Sequence, residues 1–215
     1  MEYSKFIDQT LLRSDATPDE IYLLCFEAKM HHFMSVCVNP CYVNVAKNFL
    51  SGSDVKVTTV IGFPLGANTI KNKVDETIDA INNGADEIDM VMNIGMFKGG
   101  HYEYIKEEIA AIRKASTGHI LKVIIETCLL TKDEIVKASE IVLESGADFV
   151  KTSTGFSKSG AQVEDVKLIK EVVKNQIGIK ASGGIKCHSQ FLQMLDAGAT
   201  RIGTSSGKEL LKNHD

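Results

Sequence analysis

Short apolar runs alternate along the chain with longer stretches in which apolar residues recur every three or four positions. The runs have the length of strands buried on both faces, and the stretches have the period of amphipathic helices. Lys5 to Asp8 reads as a first strand. A helix follows, capped by Thr17, opened by Pro18 and favoured by Asp19 and Glu20 in its first turn, and it runs to about Lys29. Strands two to four are expected over Phe33–Val38, Val55–Ile61 and Glu87–Met92, with helices over Tyr42–Phe49, Thr69–Asn82 and Tyr102–Ala115. Strands five to eight are expected over Leu121–Glu126, Phe149–Lys151, Ile177–Lys180 and Thr200–Gly203. The helices among them are Thr131–Glu144, opened by the capping box Thr131-Lys132-Asp133-Glu134, then Val163–Lys174, Ser189–Asp196 and a short last one over Ser205–Lys212.

Eight strand-then-helix units predict an α/β fold of the (β/α)8 barrel type, one domain over residues 1–215 with short loops. A doubly wound open sheet is the alternative, but no Gly-x-Gly-x-x-Gly follows the first strand to support a dinucleotide site. A weak internal repeat favours the barrel. Asn83-Gly84-Ala85-Asp86, Ser145-Gly146-Ala147-Asp148 and Ala197-Gly198-Ala199-Thr200 each stop a helix at a glycine and start a strand. Five residues after the glycine stand Asp89, Lys151 and Gly203, at one depth near the C-terminal ends of strands four, six and eight. Even-numbered strands of a barrel share interior layers, so Asp89 and Lys151 are expected to face one space.

Composition narrows the function. The chain has 215 residues and a net charge of −4, which offers no electrostatic attraction to nucleic acid or an anionic membrane. No stretch approaches the about 20 apolar residues of a membrane span, and the N-terminus lacks the layout of a signal peptide. Cys25, Cys37, Cys41, Cys128 and Cys187 are odd in number and scattered, which argues for reduced thiols and a cytoplasmic setting. No His, Cys or carboxylate cluster has metal-ligand spacing: His31 and His32 fall between elements, while His101, His119, His188 and His214 are isolated. A nucleophilic Cys37 or Cys128 has no histidine base nearby in sequence.

Two lysines carry the candidate chemistry. Lys151 and Lys180 each end an apolar run and are followed by small-residue turns, Thr152-Ser153-Thr154-Gly155 and Ala181-Ser182-Gly183-Gly184. A lysine capping a strand and reaching solvent is the ordinary arrangement. A buried one tends instead to lose its proton and become a nucleophile able to form a Schiff base. On adjacent strands, each lysine can lower the other's pKa, and Asp89 can exchange protons with them. Lys122 and Glu126 share parity on the fifth strand, where they pair either as a support for the lysines or as a structural ion pair. The glycine turns after strands seven and eight, Gly183-Gly184 and Gly203-Thr204-Ser205, suit an anion such as a phosphate.

These residues also resemble a known family. Lys151-Thr152-Ser153-Thr154-Gly155-Phe156, Ile179-Lys180-Ala181-Ser182-Gly183-Gly184-Ile185 and Ala85-Asp86-Glu87-Ile88-Asp89-Met90-Val91 are similar to signature segments of the deoxyribose-phosphate aldolases. Further similarity runs through Ile7–Leu12, Val36–Pro40, Val60–Pro64 and Ile124–Thr127. The resemblance implies a (β/α)8 barrel with no metal or organic cofactor that reversibly cleaves 2-deoxy-D-ribose 5-phosphate into D-glyceraldehyde 3-phosphate and acetaldehyde. By it, Lys151 is the Schiff-base lysine, Lys180 the lysine that perturbs it, and Asp89 the proton relay. Gly155, Gly183, Gly184, Gly203 and Ser205 form the phosphate cradle, and the partners are a phosphorylated sugar, aldehydes and further copies of the chain as a dimer or larger homo-oligomer. Two other readings stay open: a Schiff-base aldolase of a different sugar phosphate, and a non-catalytic phosphosugar-binding barrel. Gln9 and Arg13 stand where many members have histidine and lysine, and are expected to affect contacts at the rim of the site. The tail tyrosine that some members use has no counterpart here, where the last tyrosine is Tyr104.

Overall fold

In the computed structural model, which describes residues 2–212, eight parallel strands close into a barrel in sequence order, with β8 pairing back to β1. They are β1 (Ile7–Leu11), β2 (Ser35–Val38), β3 (Lys56–Ile61), β4 (Glu87–Val91), β5 (Ile120–Ile124), β6 (Phe149–Lys151), β7 (Gly178–Ser182) and β8 (Arg201–Thr204). Around them lie α1 (Pro18–Met30), α2 (Val43–Phe49), α3 (Ile70–Asn82), α4 (Ile94–Lys98), α5 (Tyr102–Ala115), α6 (Lys132–Glu144), α7 (Val163–Val173), α8 (His188–Asp196) and α9 (Gly207–Leu210). His214 lies outside the described residues.

Local signals account for most boundaries. Thr17 and Thr131 each accept the backbone N–H three residues on, while Glu20 and Glu134 reach back, so both capping boxes form. Gly84, Gly146 and Gly198 all have positive φ (104°, 76° and 113°), so the repeated turn is one left-handed cap used three times.

The extended strand ends have one physical cause. β1 begins at Ile7 and runs on to Leu11, whereas the apolar pattern places it at Lys5–Asp8, and Tyr3–Phe6 is a 3-10 turn. β7 and β8 likewise extend past Lys180 and Gly203 to Ser182 and Thr204. Apolar patterning loses a strand at its first polar residue, yet here the polar residues are buried because the barrel interior is itself polar. β5 departs in the opposite sense: it stops at Ile124, and Glu126 adopts φ 55° beyond its end. The short α4, to which the sequence pattern assigns no element, is started by Asn93, whose Oδ1 accepts the Met96 N–H at 3.1 Å.

Alternate strand residues face opposite ways. Val36, Val57, Ile88, Met90, Leu121, Val123, Val150, Ile179 and Ile202 face outward and pack with the helices into the main apolar core. Inside the barrel, Leu12, Cys37 and Val60 form a small apolar cluster with Phe63 packed against it. The rest of the interior is unusual for this fold, which ordinarily fills its centre with branched apolar side chains.

Candidate active site

Every strand sends at least one polar side chain into the barrel: Asp8, Ser35, Thr58, Glu87 with Asp89, Lys122, Lys151, Lys180 and Arg201, from β1 to β8 in order. Six of the charges close a ring of alternating sign. Arg201 Nη1 lies 2.8 Å from Asp8 Oδ1 and 3.1 Å from Glu87 Oε2. Lys122 Nζ lies 2.5 Å from Glu87 Oε2 and donates to Asp89 Oδ1 at 2.8 Å. Lys180 Nζ donates to Asp89 Oδ2 at 2.7 Å and lies 2.5 Å from Asp8 Oδ2, closing the ring. Ser35 and Thr58 brace it, Ser35 Oγ donating to Asp8 at 2.7 Å and Thr58 Oγ1 to Glu87 at 3.3 Å. Phe149 covers it from below, its ring centroid 5.9 Å from Lys122 Nζ and 5.4 Å from Arg201 Cζ.

Among the described residues, Lys151 is the one further cation inside the barrel, attached to the ring through Asp89, whose Oδ2 accepts from its Nζ at 2.8 Å. It also alone faces open space among the charges predicted from sequence. Lys151 lines a cavity of about 360 Å³ at the C-terminal end of the barrel, whereas Lys180 and Asp89 lie beneath it with no exposed surface. All five predicted cradle residues, Gly155, Gly183, Gly184, Gly203 and Ser205, line the same cavity.

The electrostatics follow from this placement. Burial pushes the Lys151 ammonium toward its neutral form, Asp89 opposes that, and the neighbouring Lys180 charge adds to it; the net displacement is downward. Burial also disfavours the ammonium of Lys180, but Asp8 and Asp89 outweigh it and hold Lys180 above the usual lysine range. Burial would raise the Asp89 carboxyl, yet Lys122, Lys151 and Lys180 together keep it well below the usual carboxylate range. One lysine is thus biased toward free amine and the other locked as ammonium, 2.8 and 2.7 Å from the same carboxylate oxygen.

The cradle needs its glycines. Gly183 and Gly184 have φ of 88° and 80°, a backbone region that residues with a Cβ avoid, so the turn needs glycine at both positions. At position 203 a Cβ would fall 2.4 Å from Ser182 Oγ and 3.1 Å from Lys180 Cε, so glycine there leaves room for the lysine. On the other wall, Thr154 is fixed by Glu126, which accepts its backbone N–H at 3.2 Å and its hydroxyl.

Two expectations are corrected. Lys122 does not pair with Glu126: β5 ends before Glu126, so the alternation that would align them is broken, and Lys122 takes Glu87 and Asp89 instead. Gln9 is not at the rim. Alternation from inward-facing Asp8 turns it outward, where it donates to Glu27 at 2.8 Å and accepts the Gly207 N–H at 2.9 Å. Arg13 does line the cavity mouth, held by Asp15 and Glu20. Periodicity and motifs in the sequence assign no role to Asp8, Glu87 or Arg201. The only signal was charge at inward parity on strands otherwise apolar. Among the described residues no three His, Cys, Asp or Glu side chains are placed to hold a metal ion.

Comparison with known proteins gives consistent matches along the whole chain. A protein-family model described as DeoC/LacD family aldolase matches residues 4–213. The deoxyribose-phosphate aldolase of Staphylococcus carnosus is 57% identical over 212 residues, covering 99% of this chain and 96% of its own. That of Brevibacillus brevis is 54% identical over 211 residues, 98% of this chain and 96% of its own. Among solved structures, the aldolase QR15 superposes with a TM-score of 0.94 at 42% identity, covering 98% of this chain and 94% of its own. The deoxyribose phosphate aldolase of Aeropyrum pernix, described as a unique tetramer, gives 0.91 at 32% identity, covering 97% and 89%.

Proposed function

This chain belongs to the DeoC/LacD aldolase family, and from that premise we propose that it is a class I aldolase, a single (β/α)8 domain over residues 1–215. It reversibly cleaves 2-deoxy-D-ribose 5-phosphate into D-glyceraldehyde 3-phosphate and acetaldehyde. The observation that carries this reading is that Lys151, and no other charge of the buried cluster, opens into the cavity that the glycine turns surround.

The neutral Lys151 amine adds to the C1 aldehyde of the open-chain sugar, and loss of water leaves a protonated imine. The C3 hydroxyl then gives up its proton, and the C2–C3 bond breaks. Its electron pair moves into the imine to form an enamine, and D-glyceraldehyde 3-phosphate departs. Protonation of the enamine at C2 and hydrolysis of the new imine release acetaldehyde and regenerate the amine. Asp89 is the proton relay, Lys122 and Lys180 are the cations that keep it ionised, and Lys180 is the one that also perturbs Lys151. Backbone N–H groups at Gly183, Gly184 and the Gly203–Ser205 turn, with Gly155, hold the phosphate. The iminium supplies the electron sink, so the residues described suffice without a metal or organic cofactor.

Self-association belongs to the same reading. The outer face of α1 carries Tyr22, Leu23, Phe26 and Met30, each 48–63% exposed, and Tyr22 meets Phe49 of α2 edge-on at 4.9 Å. A contiguous apolar face of this size suits burial against a second copy, and the tetrameric Aeropyrum pernix relative supports an oligomer. Five cysteines that form no disulfide support a cytoplasmic setting.

Incubation with 2-deoxy-D-ribose 5-phosphate and borohydride tests the assignment. A reduced covalent adduct on Lys151, absent from Lys151→Ala, is expected, together with acetaldehyde release in a coupled assay. An adduct on the Lys151→Ala protein, or ligand binding without acetaldehyde, refutes it.

A further inference from the structure

The ring of charges extends well away from the cavity. Arg201 and Glu87 are buried, line no part of it and make no contact with Lys151. Their effect has to pass through the ring: Arg201 holds Asp8, which holds Lys180, and Glu87 holds Lys122, which holds Asp89. Asp8, Glu87 and Asp89 balance Lys122, Lys180 and Arg201 one for one. Lys151 is the odd cation, so its protonation adds an uncompensated charge to a nearly buried group at the cavity floor, which is costly.

We propose that the closed six-charge ring acts as a unit that keeps Lys151 in its amine form, and that Arg201 and Glu87 are positioning residues for its nucleophilicity through the ring's net charge. The groups that act on Lys151 are Asp89 from β4, Lys180 from β7 and the Cys37 thiol from β2, and behind them Lys122 from β5 holds Asp89 and Asp8 from β1 holds Lys180. Cys37 is pushed up by burial and stays a neutral thiol, so it leaves the balance unchanged. The downward displacement of Lys151 agrees with the proposal. The inference rests on Lys151 being the Schiff-base lysine.

The test is the acid limb of kcat/KM against pH in Arg201→Met, Glu87→Gln and the double variant. Arg201→Met leaves the ring one negative charge in excess, stabilises the ammonium and moves the limb up by about one unit. Glu87→Gln leaves one positive charge in excess and moves the limb down. The double variant restores the balance and returns the limb toward the wild-type position. A merely structural role moves both single variants the same way or not at all, and either result overturns the proposal. If a single variant does not fold, Arg201→Lys and the double variant decide: both conserve balance and are expected to keep the wild-type limb, and a displaced limb in either refutes the ring. Borohydride trapping on each variant separates the two ideas. No adduct at Lys151 in the wild type sinks the aldolase reading, whereas a normal adduct with limbs that do not move oppositely sinks the ring alone.

Discussion

Lys151 and Lys180 donate to the same oxygen of Asp89, at 2.8 and 2.7 Å. Two ammonium groups on one carboxylate oxygen repel each other, and the partner with fewer other anions yields its proton first. Lys180 has Asp8 as a second anion, and Lys151 has none. That asymmetry distinguishes two lysines whose local sequences look alike.

The Asp89→Asn variant removes the carboxylate that joins the ring to Lys151. Loss of the proton relay is expected to lower kcat about 10²- to 10⁴-fold. Lys122 and Lys180 also lose their shared anion inside the barrel, which costs about 3–5 kcal/mol of stability. Steady-state kinetics and urea unfolding check the two effects separately. A variant with near-normal turnover rejects the relay.

Replacing Lys180 by Leu leaves Lys151 free to carry the proton on Asp89. Turnover is expected to fall by at least about 10²-fold while far-ultraviolet circular dichroism stays native. The remaining activity should show its acid limb at higher pH, since the neighbouring cation that disfavoured the Lys151 ammonium is gone. An unchanged limb contradicts the role given to Lys180.

Stability should depend on pH at both ends. Asp8 and Asp89 titrate below the usual 3.8 in the folded protein, so their contribution is complete above that value and is lost as pH falls through their depressed folded values. Lys180 titrates above the usual 10.5 when folded, so its contribution is complete below 10.5 and is lost as pH rises beyond it. Lys151 runs the other way. Its folded value lies below 10.5, so the unfolded chain binds more protons there, and stability rises with pH through that window. Thermal unfolding from pH 3 to pH 11 is the measurement; a midpoint independent of pH below 4 rejects the buried carboxylates as ion-pair partners.

The helices, the order of strands and the meeting of Asp89 with Lys151 in one space were legible because caps, glycine turns and outward apolar residues are local signals. The ring was not. Asp8, Glu87 and Arg201 look like ordinary surface charges in a linear reading, and only closure of β8 onto β1 brings Arg201 within reach of Asp8, 193 residues earlier in the chain. Glu126 misled for a related reason: alternation along β5 holds only while the strand lasts, and a positive φ re-aims the side chain at Thr154. The turns that line the cavity were readable because glycine pairs advertise backbone conformations that other residues avoid.

The cradle yields the last prediction. At Gly184, φ is 80° and no atom lies within 4 Å of the place a Cβ would occupy, so Gly184→Ala changes backbone preference without a clash. Holding alanine in that left-handed region costs about 1–2 kcal/mol, and the turn relaxes away from the geometry that aims its N–H groups. The loss should fall on the phosphate: KM for 2-deoxy-D-ribose 5-phosphate rises about tenfold, while kcat/KM for unphosphorylated 2-deoxy-D-ribose stays within about twofold. Gly183→Ala should be worse on both counts, because its Cβ would lie 2.9 Å from the Gly160 Cα as well as being strained. Equal losses on the two sugars in Gly184→Ala would place the phosphate elsewhere in the cavity and leave Gly184 a structural turn.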